Sequence, residues 1–215
     1  MNTMHRRRAL GLGSGFTLVE LLITVAVIAV VLTIAAPSFR DLIEGRRLRG
    51  VSQQITTDIQ FARTEAVSRG ETVGMTFNPG AAGMSCYIVH TCGQQNPNIC
   101  TCDCSRPEGS RCTAPRQEIR TQQVAASTGV RVVPIPVPPR TRTAANLVFD
   151  PATGAMTTYY PGTIMLAPLP DGSDYWANVV LTRAPNLPSL RTEINGNGRP
   201  RTCAPGTAVS GYGAC

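Results

Sequence analysis

The sequence predicts an α+β protein, one long N-terminal helix packed on a mainly antiparallel β-sheet head, and three observations carry that prediction. An apolar run long enough to span a bilayer, at about twenty residues, follows Gly15 and closes near Ala36. Beyond Pro37, apolar residues recur every three or four positions as far as Ala66. After Gly70 the pattern changes to short β-branched stretches punctuated by glycine and proline. A helical period followed by several closely spaced strand patterns is the signature of a helix-on-sheet head.

The first element is a basic leader, residues 1–15, with Arg6, Arg7 and Arg8 ahead of a glycine. It precedes a membrane and assembly helix over residues 16–36. A secretory signal peptide would close on a small-residue cleavage site, but the nearest candidate, Ala35-Ala36, is followed by Pro37. A plain anchor explains the arginines and the length. It does not explain Glu20, because a charge at the centre of a bilayer costs about 3 kcal/mol on insertion scales and usually marks a partner or a function.

Residues 37–70 continue as an amphipathic helix into the head. Leu48, Val51, Ile55, Ile59, Ala62 and Ala66 line one face, and Arg46, Arg49, Arg63 and Arg69 lie largely elsewhere. Pro37 should kink or loosen this helix, Gly45 and Gly50 soften it, and Gly70 stops it. The head, residues 71–215, then offers strands at Thr72–Phe77, Ser85–His90, Glu118–Val124, Val130–Pro134, Asn146–Phe149, Trp176–Arg183 and Leu190–Ile194. Phe149-Asp150-Pro151-Ala152-Thr153-Gly154 reads as a strand running into a tight turn. The Val133–Pro139 segment reads as a stiff connector between strands.

At this point the residues carry a resemblance. Gly15, Phe16, Thr17, Leu18, Val19, Glu20 and Leu21, with Pro37 after the apolar run, resemble the class III leader and N-terminal helix of type IV pilins and pseudopilins. The resemblance implies a type IV pilin-like fold, cleavage by prepilin peptidase after Gly15 and N-methylation of Phe16. It also implies single-pass storage in the bacterial inner membrane with the head in the periplasm, then assembly with other major and minor pilins or pseudopilins, at the cell surface in the case of a pilus. Glu20 would neutralise the Phe16 ammonium of a neighbouring subunit, since unpaired charges in a dry helical bundle are costly and pairing them fixes axial register.

The helix segment from Asp58 to Ala66, followed by Arg69-Gly70 and a strand, is similar to the FimT/GspH family of minor pilins and pseudopilins. Gly198-Arg199-Pro200-Arg201 resembles the glycine-arginine-x-arginine motif of the FimT branch, which implies a final loop that binds double-stranded DNA without sequence preference during uptake for natural transformation. Arg183 and Arg191 lie close enough in sequence to extend that patch, and guanidinium groups are suited to phosphate oxygens. Two other readings stand beside this one: a GspH-like minor pseudopilin of the type II secretion system, and a purely structural subunit whose arginine turn is merely solvated.

Composition bounds these choices. All 20 basic residues are arginine, against 13 acidic ones, for a net charge of +7. Placement tells more than the total: seven arginines lie between Arg106 and Arg142 against Glu108 and Glu118, whereas residues 143–215 hold four charges of each sign. Eight cysteines, Cys86, Cys92, Cys100, Cys102, Cys104, Cys112, Cys203 and Cys215, form an even set in a head directed out of the cytoplasm, so a disulfide framework is expected. Six of them fall in an insertion at about 86–112 that is poor in core-forming residues, and Cys203 with Cys215 would close a C-terminal loop. The alternative is a metal cluster of Cys100, Cys102 and Cys104 with His90 nearby, although paired C-x-x-C spacing is lacking. The chain reads as neither an enzyme nor a cofactor or metal protein. Its histidines are His5 and His90 alone, no nucleophile has a recognisable elbow, and the glycines of Gly11–Gly15 lack the flanks of a phosphate loop.

Overall fold

A computed structural model of the chain describes residues 16–80, 84–93, 100–134, 145–160, 163–165, 175–181, 188–194 and 197–215. The chain divides into two compact units, one reaching to Leu42 and the other beginning at Ile43. A single helix, α1 (Leu18–Arg69), contributes to both and is helical through positions 37, 45 and 50.

In the first unit the Thr17 side-chain oxygen accepts the Glu20 N–H at 3.2 Å. Thr17 is therefore the N-cap and Glu20 sits at N3, the T-x-x-E order of a capping box, where a carboxylate also meets the positive end of the helix dipole. Thr24 and Thr33 donate their hydroxyls to Leu21 O and Val30 O, so both are satisfied within the helix. Leu18, Leu22, Ile28, Leu32 and Ile34 are all exposed, and the helix has an 18-residue window of mean hydropathy 2.8, long and apolar enough to cross a membrane.

The second unit starts with the rest of α1. Leu48, Ile55, Ile59, Ala62 and Ala66 are buried and Val51 packs beside them, as the 3.6-residue period predicts. The helix stops at Gly70, where Glu71 N–H reaches back to Ala66 O at 3.2 Å. Ten strands follow among the described residues: β1 (Val73–Asn78), β2 (Ser85–Thr91), β3 (Glu118–Val124), β4 (Val130–Pro134), β5 (Ala145–Phe149), β6 (Met156–Tyr160), β7 (Thr163–Met165), β8 (Tyr175–Leu181), β9 (Ser189–Ile194) and β10 (Pro200–Cys203). They form two sheets, ordered β3-β2-β1-β5-β6-β7 and β10-β9-β8-β4, and every ladder between these strands is antiparallel.

All seven expected strands are present, but the single expected sheet is two. β4 leaves β3 and pairs with β8, and its Val132 N–H donates to the buried Ser85 hydroxyl of β2 at 2.9 Å. Three strands were not foreseen: β6, β7 and β10. The last begins on Pro200, which reads as a strand breaker until β10 proves to be the edge of its sheet, where a missing amide donor is tolerated. The expected strand from Trp176 to Arg183 is present as far as Leu181, beyond which its last two residues lie outside the described residues, as does the Val133–Pro139 connector beyond Pro134.

Met75, Phe77, Tyr87, Val89 and Phe149 form the buried core together with the α1 stripe. The Phe77 and Tyr87 rings are tilted at 5.6 Å between centroids. One charge is buried in this seam. Asp58 on α1 has no exposed surface, and its oxygens accept the Tyr87 hydroxyl at 2.8 Å, the Arg120 guanidinium at 2.6 Å and the Gln54 amide at 3.0 Å. The Arg120 guanidinium also lies 4.1 Å from the centre of the Phe61 ring. Burial, and then the Asp58 charge, push the Tyr87 hydroxyl well above the usual phenol range, so it remains a donor to that carboxylate.

Candidate nucleic-acid interface

β9 and β10 form an antiparallel pair in which Pro200 faces Ile194, Arg201 faces Glu193 and Thr202 faces Thr192. Leu190, Thr192 and Ile194 are buried, so Arg191 and Glu193 stand on the opposite face, with Arg201 beside Glu193 across the ladder. On the inner face the Thr202 hydroxyl lies 3.1 Å from the Thr56 hydroxyl of α1 and 3.3 Å from that of Thr192, which ties the edge strand to the helix.

The segment before β10 is held from below. Gly198 is buried with φ +73°, and a Cβ there would lie 2.9 Å from Gly154 O and 3.3 Å from the Phe149 ring. Only glycine combines that left-handed conformation with such a close approach. Gly154 closes the tight turn expected after Phe149, which here joins β5 to β6. There the Asp150 carboxylate accepts Ala152 N–H, Thr153 N–H and the Thr153 hydroxyl, at 3.0, 2.9 and 2.9 Å. Those bonds, the Thr153 hydroxyl first, hold the Asp150 carboxyl below its ordinary range. From α1, Arg63 Nε donates to Gly154 O at 3.1 Å, and a Cβ on Gly198 would lie 3.5 Å from Arg63 Cδ. Helix, hairpin and arginine turn therefore meet at one carbonyl.

Between α1 and the turn lies a groove of about 320 Å³ lined by Gln60, Arg63, Thr64, Gly198, Arg199 and Pro200. It brings two guanidinium groups and an amide together with no carboxylate among the described lining residues, an arrangement that can donate to the oxygens of an anion. Arg199 and Arg201 are exposed, while Arg191 pairs with Glu193 at 3.8 Å. Arg183 lies outside the described residues, as does Gly15. Phe16 and Glu20 are exposed at the start of α1. The sequence reading missed Gln60, Arg63 and Thr64 as site residues. Arg63 was already off the apolar face, but nothing in the local sequence announces the turn it meets at Gly154 and Gly198.

All eight cysteines are paired: Cys86–Cys104, Cys92–Cys100, Cys102–Cys112 and Cys203–Cys215. The last closes the expected C-terminal loop, which also carries the Ala204–Ala214 bridge. Cys100, Cys102 and Cys104, the thiols of the alternative metal cluster, belong to three different disulfides. His90 is a core side chain hydrogen-bonded to the Thr76 hydroxyl at 3.0 Å and to Thr91 O at 3.1 Å. Burial lowers its pKa to about 4.

Two family models match the chain. That of the type II transport protein GspH covers residues 51–184, and that of the prokaryotic N-terminal methylation motif covers residues 14–36. No curated protein and no solved structure matches. The first match runs from the amphipathic part of α1 through β8 and stops short of β9, β10 and the arginine turn.

Proposed function

The chain belongs to the GspH family and is a minor pilin or pseudopilin of a type IV pilus or a type II secretion system, and from that premise we propose that it is a minor pilin that binds DNA for uptake. The α+β fold is the pilin-like one, with a long N-terminal helix and an antiparallel head. The observation that carries the DNA reading is the groove at the Gly198–Pro200 turn, where Arg63 and Arg199 line a site with no carboxylate among its described lining residues. Contacts of this kind neutralise phosphates and carry no base information, so binding is independent of sequence and steeply dependent on salt. Arg201, on the outer face of β10, extends the cationic surface. Arg191 contributes less, because Glu193 already offsets its charge.

The test is a titration of the full-length protein in detergent micelles with duplex DNA at several salt concentrations. Joint substitution Arg199→Ala and Arg201→Ala is expected to flatten the plot of log affinity against log salt by about 2, one unit for each phosphate contact. An unchanged affinity sinks the reading. The type II secretion reading draws on the family match itself. Deletion of the gene separates the two, with loss of transformation supporting the pilus and loss of secretion the pseudopilus.

Assembly rests on the other end of the chain. The head lies in the periplasm, prepilin peptidase cuts after Gly15, and Glu20 pairs with the methylated Phe16 ammonium of a neighbouring subunit. The methylation-motif match over residues 14–36 supports this part. Glu20→Ala should still insert in the membrane but be depleted from purified filaments; recovery equal to that of the unsubstituted protein would remove the role.

A further inference from the structure

We propose that the groove between α1 and the Gly198–Pro200 turn seats one backbone phosphate of DNA, and that Arg63 of the helix grips that phosphate together with Arg199. This rests on the DNA-binding reading above and adds to it a place, a stoichiometry and a residue far from the loop. Gln60, Arg63 and Thr64 form one wall and Gly198, Arg199 and Pro200 the other. The bond from Arg63 to Gly154 O uses Nε, so the other edge of the guanidinium, with its two terminal nitrogens, is the edge that can chelate a phosphate. Because that bond already orders the Arg63 side chain, less rotamer freedom is lost when a ligand arrives. The facing wall is equally preset, since Gly198 is wedged against Gly154 O and the Phe149 ring.

The Gln60 amide adds a donor, and the Thr64 hydroxyl is spent on Gln60 O and serves as wall. Arg201 is not part of this seat. It stands opposite Glu193 on the outer face of the β9–β10 pair and serves a neighbouring phosphate. The seat is thus a two-element site: a helix arginine and a turn arginine converge on one diester, and a third arginine continues along the backbone.

The experiment uses the full-length protein in micelles, a short duplex and a salt series, with four variants. Arg63→Gln is expected to weaken binding about tenfold at low salt, equally for unrelated sequences, and, because the seat holds its one phosphate only with both arginines, to lower the salt slope by about 1. Thr64→Glu places a carboxylate on the groove wall from an exposed position. It should weaken binding with an unchanged unfolding temperature, so it carries the test if Arg63→Gln fails to fold. Thr113→Glu, in the cysteine-rich segment, adds the same charge away from the groove and should leave affinity unaltered. If Arg63→Gln lowers affinity without changing the slope, Arg63 only positions the turn and the proposal falls. It falls likewise if Thr64→Glu binds as tightly as Thr113→Glu. If the Arg199→Ala, Arg201→Ala double variant keeps full affinity, the DNA reading itself falls and this seat with it. Loss in the double variant with none in Arg63→Gln overturns the seat alone.

Discussion

Two regions of α1 receive an arginine, and they use it in opposite ways. At Asp58 the carboxylate is fully buried and Arg120 is committed to it, stacked on Phe61, with Tyr87 and Gln54 completing the set. Little more than a turn further along, Arg63 meets Gly154 and Arg199 in a groove with no acid among its described lining residues. The comparison teaches that one residue type serves two uses along one helix. Bound to a buried acid, Arg120 fastens helix to sheet; bonded through Nε to a carbonyl, Arg63 props the turn and lines a groove.

The largest expected effect breaks the first region and spares the second. Asp58→Ala leaves the Tyr87 hydroxyl and the Arg120 guanidinium without their acceptor. With Arg120 half exposed and open to solvation, the unpaired buried Tyr87 hydroxyl dominates, and the change should cost about 3 kcal/mol in denaturant unfolding, while the folded fraction keeps its salt slope for duplex DNA. A loss below about 1 kcal/mol would mean that the seam holds without its charge.

The next effect tests whether acid acts on the fold rather than on the groove. His90 is neutral and buried, with a pKa of about 4. An unfolded histidine titrates near about 6.5, so between these values the unfolded chain binds more protons. Its contribution is complete above about pH 6.5, is lost as the pH falls through that window and levels off below about 4, an acid-linked loss of about 3 kcal/mol. Unfolding curves across the window should show this slope, and His90→Gln should flatten it. The Asp103 carboxyl, held down mainly by the Ser105 hydroxyl, loses its own contribution only at lower pH, so the two are separable.

The smallest effect joins the regions. Gly198→Ala forces a side chain into a left-handed conformation against Gly154 O. About 1–2 kcal/mol of stability should be lost, together with DNA affinity, because the turn that carries Arg199 is displaced. Affinity unchanged in a destabilised variant would detach the site from its support.

The helix was legible in the sequence because a period of 3.6 survives any environment: the stripe from Leu48 to Ala66 is the buried face. Most strands were legible for the same local reason. β10 was not, because Pro200 contradicts a strand unless the edge position is known, and the division into two sheets depends on β4 pairing with a partner far away in sequence. Within the site, Gly198, Arg199 and Arg201 could be read from a short motif, whereas Arg63 could not, since its relation to the turn exists only in three dimensions. Asp58 was hidden for a similar reason: a charged residue between apolar ones on a helix looks solvated until Tyr87 and Arg120 are found around it.

The meeting of Arg63, Gly154 and Gly198 has a consequence for biogenesis. The hydrogen bond from Arg63 to Gly154 spans 91 residues, and the turn that rests on it comes later still in the chain. Contacts of such long range form only once the intervening chain is in place. A nascent, truncated or half-folded head therefore cannot display the arginine turn in its gripping form, and the surface that would capture DNA doubles as a certificate that the subunit is finished before it joins a filament.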